Sequence, residues 1–253
     1  DIMKKIISIL LFVSIVLAQN YSLSFDGGND NVSGIASTDL DVSTTNRLTI
    51  SSWVKPINSF TMNGDNGQNL FVHTSSGAQQ QYSLKINQDG RLYFVTAGAN
   101  GSPGSFEDGT SNTGNNILPL EEWSHISMSY DGYAIRFYID GVIDFEHFIE
   151  DNFPTNYIGN FFIGTNGSGL GHFNGKIDEM LVWNKALSQE EIQSYMSTSP
   201  VGNEEGLVGY WNSDAGTGDV LYDYSGNTNH GIINGATWST DVPVFGCTDS
   251  YAE

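Results

Sequence analysis

From Asn20 to about Gly235 the chain runs in short stretches of alternating apolar and polar residues, each broken by a turn pair. A period of two puts successive side chains on opposite faces of an extended strand. Tyr21–Phe25 alternates strictly and ends in Asp26-Gly27, and Leu48–Val54 stops before Pro56. Tyr82–Ile86 and Arg91–Val95 flank Asn87-Gln-Asp-Gly90, and Trp123–Tyr130 precedes Ala134–Ile139 across Asp131-Gly132. Both read as hairpins, because Asp-Gly accepts the positive φ that tight turns require. In the second, Ile126, Met128 and Tyr130 share one face, and His125, Ser127 and Ser129 the other. Phe161–Ile163 and Lys176–Trp183 continue the pattern, so the class is all-β and antiparallel. One helix interrupts it. Ser188-Gln-Glu-Glu191 is a capping box, with Leu187 and Ile192 placed for the hydrophobic staple, and the pattern ends by Pro200. A short helix in a sheet protein is a peripheral cover.

Composition narrows the partners. With 39% hydrophobic residues the chain can build a core despite a net charge of −20, and 29 glycines suit many tight turns. Nine Lys and Arg stand against 29 Asp and Glu, which argues against binding nucleic acid or an anionic membrane surface. A single cysteine excludes an internal disulfide framework and a multi-thiolate metal centre.

Residues 1–19 hold Met3-Lys-Lys, an apolar run from Ile6 to Leu17, and Ala18-Gln19. This is the pattern of a cleaved secretory signal peptide. The run is too short to span about 30 Å of hydrocarbon as a helix, so no membrane insertion is expected after cleavage. Removal leaves 7 basic and 28 acidic residues, and the mature protein is expected outside the cell or at its surface. At the other end, 241–253 reads as a linker and the start of a downstream module. Its Gly246-Cys-Thr-Asp249 resembles the opening of a repeat that follows adhesive domains in secreted bacterial proteins, and a free C-terminal thiol is the other reading.

Phe25-Asp-Gly-Gly-Asn-Asp30, Ser52-Trp-Val-Lys-Pro56, Glu122-Trp-Ser-His125 and Tyr138-Ile-Asp-Gly141 occur in that order. Gly175-Lys-Ile-Asp-Glu179, Val182-Trp-Asn-Lys-Ala-Leu187 and the capped helix follow. The succession, over residues 20–240, resembles the laminin G-like, concanavalin A-like lectin/glucanase domains of secreted bacterial proteins. The resemblance implies a jelly-roll sandwich of two curved antiparallel sheets, often with a structural calcium ion. The block at 206–240 either completes this sandwich or begins a truncated second copy. Calcium wants six to eight oxygen ligands. Asp26, Asn29 and Asp30 offer three such side chains on one glycine-rich loop, and Asp178 resembles the family position that brings a carboxylate from another strand. A plain Asp/Asn/Gly turn is the competing reading of that loop.

An enzyme reading requires two carboxyls about 5 to 9.5 Å apart across a sugar. There is no Glu-x-Asp-x-x-Glu run, and Asp178 and Glu179, as strand neighbours, are expected on opposite faces. His125 and His230 read as structural histidines, and Trp53, Trp123, Trp183, Trp211 and Trp238 as framework. Recognition is left to the polar, glycine-rich loops. Asn63, Asp65 and Asn66 can pair with sugar hydroxyls, and Phe106 can offer an apolar face; Phe60, Tyr157 and Phe173 are further loop aromatics. The function expected is a secreted, non-catalytic adhesion module within a longer, multi-domain protein, binding carbohydrate or a cell-surface protein. A glycan-cleaving enzyme and a structural spacer are the alternatives.

Overall fold

The computed structural model describes residues 20–60, 65, 67–74, 80–96, 113–148 and 158–244. In chain order the first strands are β1 (Ser22–Asp26), β2 (Asn31–Ser37), β3 (Leu48–Pro56), β4 (Gly67–Thr74) and β5 (Gln80–Asn87). Next come β6 (Leu92–Thr96), β7 (Ser124–Tyr130), β8 (Ala134–Ile139), β9 (Val142–Phe148), β10 (Gly159–Ile163) and β11 (Asn174–Trp183). Helix α1 (Gln189–Ser197) precedes β12 (Leu207–Trp211), β13 (Val220–Leu221), β14 (Gly231–Asn234) and β15 (Thr237–Ser239).

These form two antiparallel sheets. One has eight strands in the order β15-β1-β11-β3-β7-β8-β9, with β12 also paired to β11. The other has seven, in the order β13-β14-β2-β10-β4-β5-β6. Both predicted hairpins are present, as β5–β6 and β7–β8. The block at 206–240 adds strands to both sheets.

Inward-facing side chains of the two sheets form one core. At its centre the buried Trp211 lies against Phe161 and Phe71, with ring centroids 4.8 and 5.7 Å away. Room for these rings comes from glycine: a Cβ on Gly34, opposite Phe161, would fall 1.8 Å from its ring. A second apolar cluster, including Leu181, Trp183, Leu187, Ile192 and Tyr210, lies on the outer face of the eight-stranded sheet. Helix α1 contributes Ile192 to it. The capping box forms as expected: Ser188 Oγ accepts from the Glu191 amide at 3.2 Å, and Glu191 Oε2 accepts from the Ser188 amide at 2.8 Å.

Asp241, the first residue of the expected linker, has its carboxylate tied back to Lys55, Lys176 and the Trp123 indole. The predicted leader and the Gly246-Cys-Thr-Asp249 segment lie outside the described residues. No helix among those described is long and apolar enough to cross a membrane.

Candidate functional site

Burial changes across the outer face of the seven-stranded sheet. One cross-strand row runs Val220, Ile232, Ser33, Phe162, Val72, Ser83, Val95, one residue from each strand. Val72 and Ser83 are fully buried and Val95 nearly so, whereas Ile232 is 48% exposed. Half of the face is covered and half is open.

The open half carries a mixed apolar and polar surface. Tyr222 is 45% exposed and meets the exposed His230 edge-on, with ring centroids 5.3 Å apart and planes at 74°. Ile35 and Ile232 are exposed beside it. Asn234 Nδ2 donates to Asn31 Oδ1 and Ser33 Oγ, both at 3.1 Å, which fixes a polar strip along β14 and β2. The backbone beneath is rigid, because the buried Asp223 carboxylate accepts from the amides of Tyr210, Ser225 and Asn229. Asn234 stands four residues, about 13 Å, along β14 from His230, so the ring can take the apolar face of one sugar of an oligosaccharide while the amides take hydroxyls of another. Neither Tyr222 nor His230 stood out as a ligand residue in the sequence. The usable signal was the alternation Tyr222-Asp-Tyr-Ser, in which the aspartate and the serine are buried and both tyrosines are exposed.

The proposed metal ligands divide. Asp26, Asn29 and Asp30 share one turn, where Asp26 Oδ1 accepts from the Gly28 amide at 2.7 Å and Asp30 Oδ2 from the Asp26 amide at 2.9 Å. Burial raises the Asp30 carboxyl above its ordinary value, and the nearby Asp26 charge adds to this against the lowering effect of the Asp26 amide. Asp178 does not join them. Asp26 is paired with Asn174, so Asp178 lies four residues, about 13 Å, further along β11. A single ion cannot take all four side chains. Two mutually repelling carboxylates with an exposed amide still suit a cation, so the donor chemistry fits calcium through the loop alone. Among the described residues no group of three or more His, Cys, Asp or Glu is placed to hold a metal.

Asp178 and Glu179 are also not on opposite faces. The register of β11 against β3 shifts between Asp178 and Leu181, and Glu179 has φ of 49°. A bulge of this kind re-aims side chains. Asp178 pairs with Trp53, which contacts His125 edge-on, while Glu179 Oε2 accepts from Ser199 Oγ at 3.2 Å. Both carboxyls therefore lie on the outer side of the eight-stranded sheet. They are buried there, at 2% and 9% exposure, and so is His125.

Of the predicted loop residues, Asn63, Asn66, Phe106 and Tyr157 lie outside the described residues. Asp65 is described, and it is a structural hub. Its carboxylate pairs with the buried Lys85 at 2.9 Å and accepts from Asn69 and Asn166, each at 3.0 Å. Phe60 and Phe173 belong to the core and not to a ligand surface: Phe60 packs against it, and Phe173 is fully buried against Phe25.

A family model described as the concanavalin A-like lectin/glucanases superfamily matches residues 26–193. The chain belongs to that superfamily. Comparison with curated proteins gives no match. Among solved structures this superfamily member is similar to a protein from Bacteroides ovatus ATCC 8483 provisionally assigned to carbohydrate binding. The TM-score is 0.64 at 20% identity, over 89% of this chain and 61% of that one. The chain thus spans about three fifths of that protein's length. A heptameric SAP-like pentraxin from Limulus polyphemus matches with TM-score 0.55 and 15% identity, over 88% and 95% of the two chains. Domain 4 of the Geobacillus stearothermophilus GH43 arabinanase AbnA, solved with arabinotriose, matches with TM-score 0.50 and 22% identity, over 68% and 75%. At these identities the likeness is one of fold.

Proposed function

We propose that this lectin-like domain is a secreted, non-catalytic recognition module that binds carbohydrate on the open half of its seven-stranded sheet. The observation that carries this reading is the exposed Tyr222–His230 pair with the Asn234, Asn31 and Ser33 polar strip further along the same face. The Bacteroides ovatus and AbnA relatives, one assigned to carbohydrate binding and one solved with an arabinose trimer, support the ligand class. The two adjacent carboxyls with raised proton affinity, Asp178 and Glu179, are only 2% and 9% exposed, and the Tyr210 hydroxyl holds Glu179. That favours binding over hydrolysis. Contacts of this kind are few and solvent-exposed, so single-site affinity is weak and adhesion depends on repetition along a longer protein.

Calcium belongs to this proposal as a structural ion, held by Asp26 and Asp30 with Asn29 beside them and without Asp178. When bound it supplies positive charge to two like-charged carboxylates and stiffens the β1–β2 turn.

The test is a glycan array followed by titration calorimetry on the best neutral glycan, comparing the parent with Tyr222→Ala. Loss of about tenfold or more in affinity, with an unchanged melting temperature, is expected. Equal affinity in the variant places the ligand elsewhere.

A further inference from the structure

The loop between β2 and β3, the turn after β11 and the turn before β12 enclose an open cleft of about 630 Å³. It is lined by Thr45, Arg47, Asn184, Lys185, Glu205 and Gly206. It shares no residue with the Tyr222 face. Its walls are fixed by hydrogen bonds: the Asn184 amide donates to Gly206 O at 2.9 Å, and Thr49 Oγ1 donates to Lys185 O at 2.8 Å. Gly206 has φ of 89°, and a Cβ there would come 3.2 Å from both Asn184 Oδ1 and Lys185 Cβ. Both the backbone and the crowding keep a side chain out of that part of the cleft.

Charge sets the cleft apart. The described residues include seven Lys and Arg in a chain of net charge −20. Lys55, Lys85, Arg136, Lys176 and Lys185 are each paired with a carboxylate. Arg91 donates to the Gly114 carbonyl. Arg47 alone among the described cations has neither kind of partner for its guanidinium, though acidic groups outnumber basic ones threefold, and it opens on this cleft beside Lys185. The amide of Asn184 and the carboxylate of Glu205 line the same space. A guanidinium fork matches a carboxylate in two parallel hydrogen bonds, while an amide and a carboxylate accept from hydroxyls.

We propose that this cleft is a second glycan site, selective for an acidic sugar. Arg47 holds the uronate carboxylate, and Asn184 and Glu205 take ring hydroxyls. The inference rests on the carbohydrate-binding reading and names a ligand class for a site separate from the Tyr222 face. Its volume is within the range of small-ligand pockets.

The probes are a uronic-acid trisaccharide and its carboxyl-reduced counterpart, titrated against the intact chain and its variants. The acidic trisaccharide is expected to bind at least about tenfold more tightly than the reduced one, and more weakly as salt rises. Arg47→Gln abolishes that preference, Arg47→Lys restores part of it, and Tyr222→Ala leaves it intact. Equal binding of the two probes, or a preference unchanged in Arg47→Gln, overturns the acidic-sugar site. If the preference disappears only in Tyr222→Ala, the acid is read on the sheet face, so the cleft proposal fails while the carbohydrate reading stands. If neither probe nor any array glycan binds, both fail together.

Discussion

The Tyr210 hydroxyl donates to Glu179 Oε2 at 2.8 Å, next to a bulge in β11 that brings Asp178 to the same side of the sheet. Burial pushes Glu179 up to about 7, the Tyr210 and Ser199 hydroxyls pulling against it and the Asp214 charge reinforcing it. Burial, with the Glu179 charge behind it, pushes Asp178 to about 9. These groups favour the protonated form because their surroundings are apolar and already negative.

Stability is therefore expected to fall on the alkaline side. A carboxyl whose folded value is raised contributes stability that is complete below its unfolded value and is lost as pH rises through the folded one. For Glu179 that window runs from 4.5 to about 7, and the loss is on the order of 3 kcal/mol. The melting temperature should drop by roughly 6–10 °C between pH 5 and pH 8 from Glu179 alone, and Asp178, whose window runs from 3.8 to about 9, adds to the fall throughout. Glu179→Gln should make the fall below about pH 7 shallower, leaving the part that Asp178 contributes. A melting temperature independent of pH over this range contradicts the assignment.

Asp241 works in the opposite direction. Burial alone would raise its carboxyl, but Lys176, the Trp123 indole and Lys55 outweigh burial and hold it far below the usual range. Its contribution is present above about pH 4 and is lost as pH falls. The group is partly exposed, so Asp241→Asn is expected to cost about 1–2 kcal/mol near neutrality. Urea unfolding at pH 7 and pH 3 should show the difference shrinking at the lower pH. A gap of equal size at both pH values would mean that charge is not what Asp241 supplies.

Calcium should stabilise the chain through the β1–β2 turn. At about 100 times Kd, binding to the native state adds roughly 2.7 kcal/mol. Excess chelator should lower the melting temperature, Asp30→Asn should remove most of that response, and Asp178→Asn should leave it in place. A melting curve indifferent to both calcium and chelator would remove the ion from this loop.

Much of the fold was legible in the residues. Period-two alternation, Asp-Gly turns and the Ser188–Glu191 box are local signals, and local backbone preference decides them. Hence both hairpins and the helix start fall where the pattern puts them. Convergence is another matter, because it depends on register. The Asp26–Asn174 pairing separates Asp178 from the loop it was expected to join. A single bulged residue turns Glu179 to the side of Asp178, although strand periodicity alone opposes them. Asp65 looks like a ligand residue in a polar loop until Lys85, twenty positions on, is seen to neutralise it. The exposure of Tyr222 and the empty hand of Arg47 follow from which strands and loops lie beside them. Alternation determined the sheets and their inner faces; only the packed structure decided which outer surface is left uncovered, because cover comes from segments distant in sequence.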